Sequence, residues 1–331
     1  MRKIRQRYFS GIQPTGELHI GNYLGAIKSW IELQDEYEGI FGIVDYHAIT
    51  EPYNPEDMPR RVMDAALDYL AAGLDPSKSI LMIQSLVPEH TEMAWLLNTI
   101  TPVSWVQRVP SYKEKARGLG VGANMGLLSY PVLMAADIVL YKSSIVPVGE
   151  DQLPHLELAR EIVRVFNGRF GDTFPEPQAY LGRGARIMSL TEPTKKMSKS
   201  LGPQNYIALA DKPDEIRRKI SRAVTDIGPG GGEMSPGVGN LFELMSIFSS
   251  EETYNHFKQL YDEKAIRYSD MKQKLADDLI SALGPLRERR LALSLKPEYV
   301  REVLIEGSRK AREIAKPTLS EAKEKMGLVY F

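Results

Sequence analysis

An α/β fold, a doubly wound parallel sheet followed by an all-helical portion, is what this sequence predicts. Three observations carry the prediction. Strand-like and helix-like segments alternate through the front half, a glycine-bearing turn follows the first strand, and strand-like runs stop after about residue 205. Alternation of that kind builds βαβ units with parallel strands.

The elements follow in order. Arg7-Tyr8-Phe9-Ser10, ended by Gly11, reads as the first strand, and Gly11-Ile12-Gln13-Pro14-Thr15-Gly16 as a turn. Leu24, Ile27 and Ile31 recur at helical spacing, with Asn22 placed to cap that helix. Gly39–Asp45 and Ile80–Gln84 read as buried strands, and Val62, Ala66, Tyr69 and Leu70 outline a helix between them. Leu127–Tyr141 is helical and mostly apolar; Ile145–Val148 and Ala185–Ser189 are further strand candidates. Beyond residue 205, Pro213 starts a helix with Ile216, Ile220 and Val224 as its apolar stripe. Met271, Leu275, Leu279 and Leu283 form a second stripe, and Val300, Val303, Leu304 and Ile314 a third. Gly228–Gly232 and Ser235-Pro236-Gly237 mark a long loop. These signals place an α/β domain over 1–205 and a helical domain over 206–331.

Composition narrows the class. With 331 residues, 43% hydrophobic and 26% charged, the chain is ordinary for a globular protein of two domains. No apolar run reaches the ~20 residues of a membrane span, and the basic N-terminus lacks the apolar stretch of a signal peptide. Zero cysteines exclude disulfides, a thiol nucleophile and thiolate-bound metal, and a cytoplasmic location is expected. A net charge of −1 excludes a uniformly basic nucleic-acid coat but leaves room for a local basic face.

Two short signatures carry phosphate chemistry. His19-Ile20-Gly21-Asn22 follows the first strand, where a doubly wound sheet binds its ligand and backbone amides approach phosphate. Gln13, Pro14, Thr15, Gly21 and Asn22 fit such a turn. His19 is read as a donor to phosphate oxygens; alone, it is equally a turn histidine on the surface. Thr194-Lys195-Lys196-Met197-Ser198-Lys199-Ser200 packs three lysines into a stretch without helical amphipathicity, so a mobile loop is expected. Lys196 and Lys199 there would neutralise charge on departing pyrophosphate.

Together, in this order, the two signatures resemble the ATP-binding motifs of class I aminoacyl-tRNA synthetases. Longer strings sharpen the likeness: Phe9–Gly16, Asp45-Tyr46-His47-Ala48-Ile49-Thr50, Tyr130–Ile138, Val146–Gln152, Gly184–Leu190 and Pro193–Ser200. On these the chain resembles the bacterial-type tryptophanyl-tRNA synthetases over nearly its whole length. Many bacterial members carry Thr where this chain has His19.

The resemblance implies a Rossmann-like catalytic domain that uses ATP with Mg²⁺ and L-tryptophan. It implies no metal-ligating set in the chain itself. It also implies transfer to the terminal ribose 2′-hydroxyl of tRNA(Trp), anticodon recognition by the helical portion, and a homodimer. It assigns Asp137 to the indole N–H, a group with one donor and no acceptor. Phenylalanine would leave that carboxylate unpaired. Tyrosine must be excluded by shape, for which Phe9, Met134, Val146 and Val148 are candidates. Tyr130, His47 and Gln152 join the tryptophan set, His47 and Gln152 as ligands or as hydrogen-bonders behind them. Gln13, Pro14, Thr15, Gly21, Asn22, Gly149, Glu150, Asp151, Ile187, Lys196, Met197, Ser198, Lys199 and Ser200 are implied to contact ATP. Glu150 and Asp151 suit ribose hydroxyls and Ile187 offers backbone groups to adenine. Lys113 and Lys115 are triphosphate contacts or solvated charges. Arg217-Arg218-Lys219 and Arg287-Glu288-Arg289-Arg290 are basic spots open to RNA, and Trp30, Trp95 and Trp105 read as packing residues.

Three rivals stay in view. A tyrosyl-tRNA synthetase shares both motifs but usually carries an extra C-terminal RNA-binding domain, which is not expected here. A small-molecule adenylyltransferase lacks the late lysines and the helical portion. A non-catalytic paralogue would lose the motif lysines or Asp137, and all are present.

Overall fold

A computed structural model describes residues 6–119, 122–181, 187–226 and 234–328. Its sheet is five-stranded and wholly parallel: β1 (Arg7–Ile12), β2 (Glu38–Ile43), β3 (Ile80–Ile83), β4 (Ile145–Pro147) and β5 (Gln178–Tyr180). The spatial order is β3-β2-β1-β4-β5, so the winding direction reverses between β1 and β4. Ligands of doubly wound sheets bind beyond the carboxyl ends of the strands at such a reversal. In β2 nearly every residue is buried and apolar, as in a strand covered on both faces.

Local signals placed most of these elements. β1 runs past Gly11 to Ile12, where close packing of the Val44 side chain suits a residue without a Cβ. Met58–Ala72 is a helix with Pro59 in its first turn and Gly73 at φ +111° behind it. Met125–Val139, capped by the Asn124 side chain on Leu127 N–H, takes in the predicted apolar helix except its last two residues, Leu140 and Tyr141. Pro213–Ser221 and Tyr268–Ser294 also lie where periodicity placed them.

Several expectations change. Asn22 precedes the helical segment Tyr23–Ile27 but makes no side-chain capping bond to it; the side-chain cap is His19, its Nδ1 accepting from Asn22 N–H at 3.2 Å, while Asn22 Oδ1 accepts from His19 N–H at 3.3 Å. Histidine is an uncommon cap, so composition favoured its neighbour. Of the strand candidate Ala185–Ser189, residues 185 and 186 lie outside the described residues, and in the rest Met188 makes only an isolated bridge to Lys196. The fifth strand is Gln178–Tyr180, too short and too exposed to announce itself. Val224 falls beyond the helix it was assigned to and is exposed. Gly228–Gly232 lies outside the described residues. Trp30 is buried and Trp105 packs against the core, but Trp95 is 70% exposed.

The boundary expected near residue 205 is also revised. Two compact units emerge: one of Met1–Thr15, Ser29–Gly182 and Lys296–Phe331, the other of Gly16–Lys28 and Arg183–Leu295. Helix Pro297–Lys325 belongs with the sheet. Its buried face, Val300, Leu304, Gly307, Ser308, Ala311 and Ala315, follows helical spacing and turns to small residues from Gly307 on. That face lies against the edge strand β3, where Ile83 N–H donates to Ser308 Oγ at 3.1 Å. A helix laid on the strand edge leaves no open ladder for another chain. Ion pairs Arg312–Glu89, Lys323–Glu92 and Lys142–Glu321, at 2.7 to 2.8 Å, tie the same helix down. The change from alternating to helical sequence at 205 marks a change of secondary structure, not of packing partner.

A Cβ on Gly307 would fall 1.9 Å from Leu81 O, whereas one on Gly284, inside Tyr268–Ser294, would meet nothing within 4 Å. Gly307→Ala is expected to destabilise the protein by about 1–3 kcal/mol through overpacking. Gly284→Ala is expected to stabilise it by about 0.5–1 kcal/mol. Denaturant unfolding of both variants checks the contrast.

Candidate active site

In the sheet-bearing unit, the reversal between β1 and β4 is flanked by Gln13-Pro14-Thr15 after β1 and Val148-Gly149-Glu150-Asp151 after β4. Thr15 N–H turns back to Gln13 O at 2.8 Å, shaping the first turn. Gly149 precedes the single 3₁₀ turn Glu150–Gln152, and a Cβ there would strike Asp151 Oδ1 at 2.7 Å. Glu150 and Asp151 are exposed, and Gln152 Nε2 donates to Asp151 Oδ2 at 2.7 Å.

In the same unit Asp137, 1% exposed, lies on helix Met125–Val139. A buried charge must be hydrogen-bonded or paired. Gln84, just past β3, donates to Asp137 Oδ1 at 2.7 Å. His90 Nδ1 lies 2.6 Å from the same oxygen, and His47 Nε2, past β2, lies 2.8 Å from Oδ2. Burial pushes the carboxyl pKa up, but the two histidines outweigh it and hold it below the usual carboxylate range. Asp137 is therefore ionised, and its oxygens offer about four acceptor positions, of which three are used.

Apolar side chains share the core of this unit. Phe9, Val146 and Val148 are buried, and Met134 packs against the same core. Phe9 stacks on Tyr141 with centroids 5.6 Å apart and planes at 10°. Tyr130 OH bonds Ser111 Oγ at 2.7 Å and His155 Nε2 at 2.8 Å; its ring packs edge-on to His47. Lys115 lies 5.4 Å from the Tyr130 ring centroid and 2.5 Å from Glu51, so its charge is already matched. Gln84, His90, Tyr141, Ser111 and His155 escaped the sequence reading. None sits in a motif, and a polar residue in an apolar helix has no local mark of its partner.

The second unit holds both signatures. Leu18 and Leu209 join through Leu209 N–H to Leu18 O at 2.8 Å, and Ile20 N–H reaches Ile207 O at 2.9 Å. His19 bridges Ala208 and packs its ring 5.5 Å from Tyr206. Lys199 Nζ donates to Gly16 O at 2.9 Å, placing its ammonium on the loop that leads into His19. A Cβ on Gly21 would lie 3.0 Å from His19 Nδ1, which accounts for glycine there. The lysine loop is anchored at Met188–Lys196 and by Met197 N–H to Ile187 O at 3.0 Å. Asn240 holds the backbone of Met188 and Ser189 behind it. Lys199–Leu201 form one 3₁₀ turn that includes Ser200, and Ser198 precedes it.

His19 is 4% exposed. Burial, then the charges of Lys199 and Lys196, lower its pKa from 6.5 to about 3. The ring is thus neutral near pH 7, and since Nδ1 accepts from Asn22, its proton sits on Nε2. It is a neutral hydrogen-bond donor, unsuited to act as a base.

The basic spots of this unit are largely spent internally. Lys219 is buried, 2.6 Å from Asp211 and 5.0 Å from the Tyr206 ring centroid, so it faces no solvent partner. Arg217 pairs with Asp277 at 3.1 Å, and Arg287 donates to Ile280 O at 3.2 Å.

Comparison with known proteins aligns with this geometry. A family model for class I tRNA synthetases (W and Y) matches residues 1–284. The tryptophan–tRNA ligase of Caldanaerobacter subterraneus subsp. tengcongensis is 46% identical over 98% of this chain and 99% of its own. That of Helicobacter pylori strain 26695 is 44% identical, covering 98% and 99%. The crystal structure of tryptophanyl-tRNA synthetase from Campylobacter jejuni, complexed with ADP and tryptophan, is 35% identical. It superposes with a TM-score of 0.86 over 97% of this chain and all of its own. The tyrosyl-tRNA synthetase of Aeropyrum pernix, at 19% identity and TM-score 0.65, shares the fold.

Between pH 6.5 and about 3 the unfolded chain binds a proton at position 19 that the folded chain refuses, so stability rises with pH across that window. His155, lowered to about 4 chiefly by burial, adds in the same direction. His19→Asn, which keeps a side-chain acceptor for Asn22 N–H, is expected to flatten the loss of stability on acidification, read by denaturant unfolding from about pH 7 to about pH 4.

Proposed function

The chain belongs to the class I tRNA synthetases of the tryptophan and tyrosine group, and from that premise we infer that it ligates L-tryptophan to tRNA(Trp) at the expense of ATP. In the first step a carboxylate oxygen of tryptophan attacks the α-phosphorus of ATP in line. A P–O bond forms, the bridging P–O bond to pyrophosphate breaks, and tryptophanyl-adenylate results. In the second step the 2′-hydroxyl of the terminal tRNA ribose attacks the acyl carbon and AMP leaves.

The observation that carries the choice of amino acid is Asp137. It is buried and ionised, three of its about four acceptor positions are filled by Gln84, His90 and His47, and the remaining one suits a single N–H donor. Indole supplies that donor; phenylalanine would leave a buried charge under-bonded, which is a strong basis for rejection. Phe9, Met134, Val146 and Val148 set a shape that excludes tyrosine, and Tyr130, His47 and Gln152 complete the amino-acid set.

For the nucleotide, we assign to ATP a first group, Gln13 to Thr15 and Gly149 to Asp151, and a second, Gly21, Asn22, Ile187 and Lys196 to Ser200. The support is the strand-order reversal for the first group and, for the second, the grouping of His19, Lys196 and Lys199. Mg²⁺ enters as part of the Mg-ATP substrate. Catalysis is positioning plus stabilisation of charge: His19 Nε2–H donates to phosphate oxygens, and Lys196 and Lys199 neutralise the departing pyrophosphate. Movement of the lysine loop over the nucleotide would exclude water from the adenylate.

The helical unit recognises the tRNA anticodon in this reading, although Lys219 is committed to Asp211 and takes no part. A homodimer is supported by large apolar side chains left exposed on the sheet-bearing unit, Trp95, Val103 and Met125. A cytoplasmic location follows from the role; among the described residues no helix is long and apolar enough to cross a membrane.

Exchange of labelled pyrophosphate into ATP, run separately with each of the twenty amino acids, should proceed with tryptophan alone; exchange with tyrosine instead would overturn the assignment. Lys199→Ala is expected to lower kcat about 10²- to 10³-fold while tryptophan affinity changes little. Equal losses in both would show that Lys199 acts in binding rather than on the transition state.

A further inference from the structure

We propose that His90 and Tyr141 are positioning residues for tryptophan selection. A relay from the Tyr141 hydroxyl through the His90 ring to Asp137 Oδ1 turns the carboxylate so that its one open acceptor position meets the indole N–H. The proposal rests on the reading of Asp137 given above.

The relay follows from donor and acceptor bookkeeping. An ionised carboxylate only accepts, so His90 Nδ1, 2.6 Å from Asp137 Oδ1, carries the proton of that contact. His90 Nε2 lies 2.7 Å from Tyr141 OH. Burial, followed by the charges of Asp137 and Glu89, raises the Tyr141 pKa well above its ordinary value, so the phenol keeps its proton; with the ring proton on Nδ1 facing Asp137, Nε2 is the acceptor and the hydroxyl is the donor that fits it. The hydroxyl therefore selects the one neutral tautomer of His90 that can donate to Asp137.

Every member is held. His90 is fully buried on helix Glu89–Asn98. Tyr141 is fully buried and stacked on Phe9 of β1, which fixes the direction of its hydroxyl. Glu89, adjacent to His90, pairs with Arg312 of helix Pro297–Lys325 at 2.8 Å. The titratable groups facing Asp137 and the relay are thus His47, His90, Tyr141 and Glu89, with Arg312 matched to the last. None of His90, Tyr141 or Glu89 belongs to the nucleotide chemistry; their common product is the orientation of one carboxylate.

Tyr141→Phe removes the hydroxyl and keeps the ring stacked on Phe9. Without it, His90 can turn a lone pair toward Asp137, which then loses a donor while burial still raises its pKa. The test compares wild type, Tyr141→Phe, His90→Asn (whose amide can donate where Nδ1 did) and His90→Leu in pyrophosphate exchange. The substrates are tryptophan and its benzothienyl analogue, in which sulfur replaces the indole N–H.

For Tyr141→Phe the expected result is a KM for tryptophan raised about 10- to 100-fold with kcat changed less than about twofold. The acid limb of kcat/KM should move to higher pH, because an Asp137 stripped of a donor protonates sooner. Preference for tryptophan over the analogue should fall about tenfold or more from a wild-type value of about 10⁴. His90→Leu should lose more than His90→Asn, which separates a lost donor from lost packing. If wild type discriminates while Tyr141→Phe keeps its KM, acid limb and preference, the relay is overturned and the Asp137 assignment stands. If wild type itself does not discriminate, the Asp137 assignment falls and the relay with it.

Discussion

A carboxylate taken out of water must be met by donors, and Asp137 imposes that constraint on half the molecule. An isolated buried charge costs several kcal/mol or neutralises itself. Here Gln84 from the end of β3, His47 from the end of β2 and His90 from helix Glu89–Asn98 converge on one side chain of helix Met125–Val139. A shift of any of these elements by one residue would strand the charge. Phe9 on β1 joins through its stack on Tyr141, and helix Pro297–Lys325 joins through Arg312 and Glu89. The polar centre therefore sets the mutual register of elements that apolar packing alone would tolerate in several arrangements.

The other unit solves a different problem, holding positive charge near a neutral imidazole. Lys196 and Lys199 oppose protonation of His19, and burial does the same. The result is a neutral donor beside two lysines, a fit arrangement for binding an anion. Segment Gly16–Lys28 leaves the chain of the sheet-bearing unit to join this one, and short backbone bonds to residues 207–209 hold it. The two motifs thus lie within one compact unit despite their separation in sequence.

Much of this was legible beforehand, and the exceptions share a cause. Pro213, Asn124 and the Gly73 stop are local signals, and each sits at the helix end it marks. His19 as a cap, the short exposed β5 and Val224 beyond its helix went unread because each departs from the common residue or the common length. Lys219 read as an RNA contact and Trp95 as core for the same reason: charge and apolarity suggest surface or interior on average, and only a partner decides a given case. Asp137 was found through its motif string, whereas His90 and Tyr141, which lie outside any string, became visible only by contact.

Sequence by itself determined most of the secondary elements, the parallel α/β class, the two phosphate signatures and the carboxylate proposed to select the amino acid. These depend on spacing over a few residues and on side-chain chemistry. Tertiary structure alone decided which elements share a unit. It sent helix Pro297–Lys325 back to β3, where Gly307 lets the backbones approach and Ser308 Oγ accepts from Ile83 N–H, and it grouped Gly16–Lys28 with Arg183–Leu295. Those choices are settled by contacts between residues far apart in the chain, whose energies depend on fit rather than on periodicity, and no local pattern records them.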